Sequence, residues 1–323
     1  MKRFSVFALV LAAASCAAAP SAVGQAWPAR PVRIVNTFAA GGTADILART
    51  VADHLAGAFG QQFFVETRAG GGGTVGLQSV IHSDPDGYNF VITSMSMIAL
   101  APVINPRIGY DPQRDVTHIA YIAGSPIVFV VNPKLGARTL GDLVAHGQKT
   151  GDPLTYSSSG LGSNGQLAAE SFAQKAGIRV AHVPYKGASQ GIADLVGGHI
   201  VFSAQTLSSA SGYIRGGALV ALAHTGEARL PDYPDLPTFK EGGYDLVTTN
   251  WFALAGPPGL PRDIVRKINR QVVRAMTRPE AGERLRQDGL VARPLDVDAF
   301  AAFIAEEIAR WKPVIERAGL VGK

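Results

Sequence analysis

From Val32 onward, short runs of apolar residues take turns with longer stretches whose apolar positions recur three and four residues apart. The first pattern is that of a half-buried or fully buried strand, the second that of an amphipathic helix. Val32 to Asn36 reads as a strand, and Thr43 to Ala58 as a helix with Leu47, Val51 and Leu55 on one face. Phe63 to Glu66 is a second strand and Thr74 to His82 a second helix. Asp84-Pro-Asp-Gly87 is a turn by composition and feeds a strand over Asn89 to Thr93. Strands separated by helices argue for an α/β lobe on a largely parallel sheet.

Ile119 to Val131 is strongly β-like, broken at Gly124-Ser-Pro126, and opens a second α/β series. Leu154 to Ser157, Val180 to Val183, Ile200 to Ala204 and Val220 to His224 are its strands, with helices near 140–148, 164–176, 188–197 and 208–215. Leu246 to Ala255 is a second long β-like crossing, ending in Gly256-Pro-Pro-Gly259. Three helices then start near Pro261, Pro279 and Val297, and Pro261 suits a first helical turn, where its missing amide costs nothing. The last carries Val297, Phe300, Ile304, Ile308, Trp311 and Ile315 on one stripe, which is expected to pack back on the first lobe. Two crossings with the C-terminal helices returning home predict a bilobed body with a hinge.

The N-terminus adds a leader. Lys2-Arg3, the apolar run Phe4 to Ala14 and small residues up to Gly24-Gln25-Ala26 have the layout of a secretory signal peptide, with a cut expected after Ala26. The sole cysteine, Cys16, falls inside it, so the mature chain is expected to have no disulfide, catalytic thiolate or cysteine-held zinc. Acylation of Cys16 is the alternative; it ranks lower because Ala13 stands where a large aliphatic residue is usual. Losing Lys2 and Arg3 lowers the formal charge from +5 to +3, too mild to argue for nucleic acid. The densest basic group, Arg262, Arg266, Lys267, Arg270 and Arg274, lies opposite Ile264, Ile268, Val272 and Met276 and reads as a solvated helix face.

Two turns carry the candidate chemistry. Phe38-Ala-Ala-Gly-Gly-Thr-Ala-Asp45 and Ser157-Ser-Ser-Gly-Leu-Gly-Ser-Asn-Gly165 each join a strand to a helix. The first amides of a helix have no partner within it and sit at the positive end of its dipole, so such a turn holds a carboxylate or phosphate without arginine. Asp45 belongs most simply to the first helical turn, or accepts from a ligand; Ser157, Ser158, Ser159, Ser163 and Asn164 offer hydroxyls and an amide, one or two of them as caps. Neither turn alone supplies the roughly 8 kcal/mol of a micromolar complex, since a helix terminus offers a carboxylate only about 0.3–2 kcal/mol. Closing one turn on the other does better. Gly71-Gly-Gly-Thr-Val-Gly76 satisfies G-x-G-x-x-G, but the next strand ends Val91-Ile-Thr-Ser-Met95 without the acidic residue a ribose needs, so a close-approach or tight turn is the better reading. P-loop, H-E-x-x-H and G-x-S-x-G patterns are absent, and His54, His82, His118, His146, His182, His199 and His224 are isolated, so no metal, cofactor or catalytic group is expected.

These segments, with Trp27-Pro28, Arg68 to Gly76, Pro85-Asp-Gly-Tyr88, Val183-Pro-Tyr-Lys-Gly-Ala188 and Trp251-Phe252 ahead of Gly256 to Pro261, resemble the tripartite tricarboxylate transporter receptors, the Bug-type solute-binding proteins. The resemblance covers nearly the whole mature chain in order. It implies a type II periplasmic binding protein fold, two α/β lobes joined by two crossing strands and closing over a small organic acid, and delivery to a membrane permease. It also implies that main-chain amides and waters hold the carboxylate. By position, Phe38, Ala39, Gly42, Thr43 and Asp45 would line one side of the cleft, and Ser158, Ser159, Gly160, Ser163 and Asn164 the other. Members commonly have histidine where this chain has Gln166 and aspartate where it has Gln205. Without that aspartate a ligand ammonium is disfavoured, and a neutral or anionic distal end is expected.

The resulting expectation is a periplasmic receptor for a small carboxylate that works by hinge closure. The expected division is a leader over 1–26, one lobe from 27–124 with 250–323, and the other from 125–249. The rivals are a receptor signalling through a membrane sensor and, further off, an α/β hydrolase, which would need a nucleophile and base meeting in the cleft.

Overall fold

The computed structural model describes residues 27–317 and 319–322. The expected leader, its cut after Ala26 and Cys16 lie outside the described residues.

In the first sheet, β1 (Val32–Asn36) lies between β2 (Phe63–Thr67) and β3 (Asn89–Ser94), all parallel. The crossover helices are α1 (Thr43–Phe59) and α2 (Thr74–Ile81). A long strand β4 (Thr117–Val131) and the late strand β9 (Thr249–Gly256) complete it antiparallel, in the order β2-β1-β3-β9-β4. In the second sheet, β5 (Leu154–Ser158) lies between β6 (Val180–Pro184) and β7 (Phe202–Thr206), again parallel. The far end of β4 pairs antiparallel with β7 on one side and β8 (Val220–His224) on the other. Both sheets therefore repeat one plan, in which the first strand is flanked by the second and third and a crossing strand follows the third.

The sequence expectation of a break at Gly124-Ser-Pro126 is corrected. The strand runs on, and this is where it changes partners: Thr117 to Pro126 pair with β9, Ile127 to Val131 with β7 and β8. Proline has no N–H for a ladder, which suits the residue at which one partner is left for the next. A second difference is a helical segment that periodicity missed, a π-type turn over Ser96–Leu100 continuing into α3 (Ala101–Ile104). Residues 96–101 are all buried, so no polar face marks a helix. Pro261 is the N-cap of α8 (Arg262–Met276) rather than a residue of its first turn.

Burial falls into separate cores. One draws its side chains from Val32 to Ala123 and from Trp251 to Leu320, with Leu167 added from between. Two others lie wholly within Ile127 to Leu246. The first core holds Phe300, Ile304, Trp311 and Ile315 of α10 (Val297–Arg317), whose stripe covers β4 and the π-type turn. Ile264, Ile268, Val272 and Met276 of α8 are buried in it while Arg262, Arg266, Lys267, Arg270 and Arg274 stay exposed. In the second lobe the rings of Phe172, Phe202 and Phe239 surround Phe129, with centroids 5.4, 5.1 and 4.7 Å away. Among the described residues no helix is long and apolar enough to cross a membrane.

Phe129 is fully buried, and its loss leaves a cavity walled by rigid rings, so Phe129→Ala is expected to lower unfolding free energy by about 3–5 kcal/mol, measured by urea titration. Burial also pushes His118, His182 and His224 down from 6.5 to about 4. Between those values the unfolded chain binds protons that the folded chain does not. Stability is then complete above about pH 6.5 and falls as pH drops towards 4; a melting temperature flat across pH 4–7 would contradict this.

Candidate functional site

In both sheets the chain leaves the carboxyl end of a parallel strand, turns, and starts a helix, the place where open α/β sheets gather ligand sites. After β1 the turn Phe38–Gly42 leads into α1. After β5 the turn Ser159–Ser163 leads into α5 (Asn164–Ala176), with Ser163 as N-cap accepting from the Gln166 amide at 3.3 Å. Beyond β6 and β7, α6 (Ala188–Gly197) and α7 (Leu207–Arg215) start beside them. The first residues of all four helices meet at one cavity between the lobes: Thr43 and Ala44, Asn164 and Gly165, Ala188, and Ser209 next to Thr206. Phe38, Ile127 and Phe252 give it apolar walls, and no ionisable side chain lines it. Positive potential there comes from backbone dipoles alone, roughly half a charge per helix terminus.

The lobes touch across this cavity, which holds only about 30 Å³, room for about two water molecules. Ala39 N–H donates to the Lys186 carbonyl at 3.0 Å, and the Ser189 hydroxyl to the Ala40 carbonyl at 2.9 Å. The Thr43 hydroxyl meets those of Thr206, Ser208 and Ser209 at 2.9, 2.5 and 2.8 Å. Two helix-terminal amides are capped by serines of the facing lobe, Thr43 N–H by Ser209 at 3.2 Å and Asn164 N–H by Ser96 at 3.1 Å. Serine oxygens thus occupy positions that a carboxylate oxygen suits. Three buried polar atoms on this face have no partner: Gln205 Nε2, Asn250 Oδ1 and Ser94 Oγ. Gln205 and Asn250 line the cavity, and Ser94 pairs in register with the lining residue Phe252, which puts both on one face of the sheet. A flip of the Asn250 amide would exchange an unpaired acceptor for an unpaired donor.

Of the residues expected from the sequence, Phe38, Gly42, Thr43, Ser159, Asn164 and Gln205 line the cavity. The others stand around it. Ala39 is in the seam just described. Asp45 is buried beneath the first turn, accepting from Asn36 Nδ2 at 3.3 Å and Gly41 N–H at 3.1 Å and pairing with Arg49 at 3.1 Å. Ser158 is bonded to Ser163 at 3.0 Å, Gly160 N–H at 3.2 Å and His182 Nε2 at 2.7 Å, so it braces the second turn from behind. Gln166 steadies the same turn by accepting from Gly162 N–H at 2.8 Å. Gly160 lies against the Gly70–Gly73 run, where every φ is positive and a Cβ on Gly72 would collide with the Leu161 carbonyl. The G-x-G-x-x-G segment therefore meets the backbone of the opposite turn.

Sequence reasoning missed Ala188, Thr206, Ser209 and Asn250. The first three follow the same strand-turn-helix pattern as the recognised turns, and that signal was available at Gly187-Ala188 and Thr206 to Ser209. Asn250 had none, because only the pairing of β9 places it. The Ser158–His182 contact is the one meeting of a hydroxyl with a ring nitrogen among the described side-chain bonds, but Ser158 is fully buried and spanned by its neighbours. That arrangement builds a turn; a hydrolase would need its nucleophile open to the cleft.

Known proteins agree with this architecture. A profile of the tripartite tricarboxylate transporter family receptor matches residues 47–320. Protein BugT of Bordetella pertussis is 32% identical over 317 residues, 98% of this chain and 97% of that protein. Among solved structures, periplasmic binding protein BugD superposes with a TM-score of 0.87 at 26% identity, covering 91% of this chain and 99% of the other. An adipate-bound protein from R. palustris gives 0.87 at 32% identity over 91% and 98%. MatC from Rhodopseudomonas palustris with bound malate gives 0.85 at 27% over 90% and 100%. The fold is that of these periplasmic binding proteins, two α/β lobes joined by two crossing strands, and its relatives are receptors rather than enzymes. The chain belongs to the tripartite tricarboxylate transporter receptor family, a family of periplasmic solute-binding proteins.

Proposed function

We propose that this receptor captures a small dicarboxylate between its lobes in the periplasm, after loss of a leader cut at Ala26, and delivers it to a tripartite tricarboxylate-type membrane permease. The lobes are assigned to 27–124 with 250–323 and to 125–249, and closure about the crossing strands makes the site. One observation carries the reading: four helix N-termini converge on a cavity without an ionisable side chain, a setting that favours an anion and gives an ammonium no counter-charge. Adipate and malate in the related structures fit the same chemistry. Phe38, Ala39, Gly42, Thr43 and Asp45 are assigned to one wall, Ser158, Ser159, Gly160, Ser163 and Asn164 to the other, with Asp45, Ser158, Gly160 and Ser163 shaping the turns. Gln205 Nε2 is assigned to one ligand oxygen. Because the cavity is so small when closed, the lobes must part to admit the acid and then reclose on it, with its oxygens displacing the serine hydroxyls from the Thr43 and Asn164 amides.

Thermal unfolding of residues 27–323 across three- to six-carbon dicarboxylates, amino acids and nucleotides tests this. Free ligand at a hundred times its dissociation constant adds about 2.7 kcal/mol; a shift with an α-amino acid and none with any dicarboxylate would overturn the reading. Replacing Gln205 with Leu removes a donor to a charged oxygen, worth about 1.5–3 kcal/mol, so calorimetry should show binding weakened about 10- to 100-fold. Gly187→Ala tests closure. Its Cβ would lie 2.8 Å from the Ala39 nitrogen across the seam, so affinity should fall sharply while the melting temperature without ligand barely moves.

A further inference from the structure

The crossing strands have two faces, and only one looks into the cleft. Side chains alternate along a strand, and Asn250, Phe252 and Ile127 on one face line the ligand cavity. Thr249, Trp251, Gly124 and Pro126 on the opposite face line a second cavity of about 390 Å³. Its remaining walls come from both sides of the hinge: Tyr121, Phe303 and Arg293 of the first lobe, and the 226–230 loop and Val247 of the second. It has the size of a small-molecule site.

Its charges are mostly matched. Glu307 accepts from Trp251 Nε1 at 2.9 Å and Trp311 Nε1 at 3.3 Å and pairs with Arg310 at 3.5 Å. Arg229 pairs with Glu241 at 2.9 Å. Arg293 has no carboxylate within 4 Å among the described residues and lies 5.7 Å from the Phe303 ring. Glu227, exposed on the other rim, is the remaining acid. Trp251, Trp311 and Tyr121 are buried in the floor, and the half-buried Phe303 with Val247 and Val291 offers the accessible apolar wall. That wall with one free guanidinium suits an aromatic carboxylate, its ring on Phe303 and its anionic end on Arg293.

We propose that this cavity behind the hinge is a second ligand site, for an aromatic monocarboxylate, and that it is positively coupled to the cleft. The sign follows from the geometry. Strands that bend to widen the cleft in front bring the lobes together behind, so an occupant behind resists opening. Anything that binds the closed form better shifts the population towards it, and each ligand raises the affinity of the other by the same factor. The coupling rests on the closure reading of the cleft; the site itself does not.

The test uses residues 27–323, with 2-naphthoate as probe behind the hinge and adipate as probe for the cleft. Naphthoate should take energy from Trp251 and Trp311 at one site per chain with adipate saturating, and should tighten adipate binding several-fold. Arg293→Ala should weaken naphthoate about tenfold and leave adipate unaffected. Val247→Trp, or Ala228→Trp at the exposed rim should the first not fold, fills the cavity; it should abolish naphthoate binding and by itself tighten adipate. Competition between the two acids, indifference to Arg293→Ala, or unchanged adipate affinity in both filled variants would overturn the proposal. Dyes on Val75→Cys and Val196→Cys, one in each lobe of the cysteine-free mature chain, read closure without a cleft ligand. A gain in energy transfer with naphthoate while adipate does not bind would remove the dicarboxylate reading and keep this one; no gain with naphthoate or with either filled variant would remove this one.

Discussion

Everything about the cleft depends on β4 and β9 being at once ladder partners and connections. β4 pairs with β9 over its first ten residues and with β7 and β8 over its last five, so the two sheets share a backbone and cannot drift apart. The carboxyl ends of the two parallel sets then face each other, and the helices leaving them point their N-termini at a common centre. Since the strands are also the only hydrogen-bonded ladder linking the sheets among the described residues, relative motion of the lobes concentrates there as bending or twist. Thr249 to Phe252 sit at that point, with Asn250 and Phe252 lining the front cavity and Thr249 and Trp251 the back one.

A site built from helix termini differs from one built around an arginine. Backbone dipoles are fixed in place by the helices, do not titrate and need little reorganisation when an anion arrives. Of the titratable groups behind the turns, Asp45 is buried under the first, bonded to Gly41 N–H and paired with Arg49, and the half-buried His182 braces the second through Ser158, desolvation holding it neutral down to about pH 4. Three polar atoms on the cavity's face stay unpaired, Gln205 Nε2, Asn250 Oδ1 and Ser94 Oγ, each costly to leave buried without a partner.

The closed form also satisfies much of its own chemistry. Hydroxyls of Ser96 and Ser209 cap amides of the opposing lobe, and glycines at 72 and 187 let the backbones touch. In this closed arrangement the helix-terminal amides of Thr43 and Asn164 therefore have partners without a ligand. The same contacts explain why so little space remains between the lobes.

Most of the secondary structure was legible in the chain, because each strand and helix has its own period and the punctuating glycines and prolines stand where the turns are. The two turns at Phe38–Asp45 and Ser157–Gly165 were legible for the same local reason, as were the buried stripes of α8 and α10. The run from Ser96 to Ile104 was not, since a segment buried all round shows no periodicity. Nor was the continuity of β4 through Pro126, which depends on a change of partner that no local pattern encodes. At the cavity, the sequence by itself determined that two strand-to-helix turns would present the first amides of their helices. Tertiary structure alone decided that four such starts meet, that Asn250 and Ser94 join them, and that His182 backs Ser158, because each of these follows from strand register and lobe contact between residues far apart in the chain.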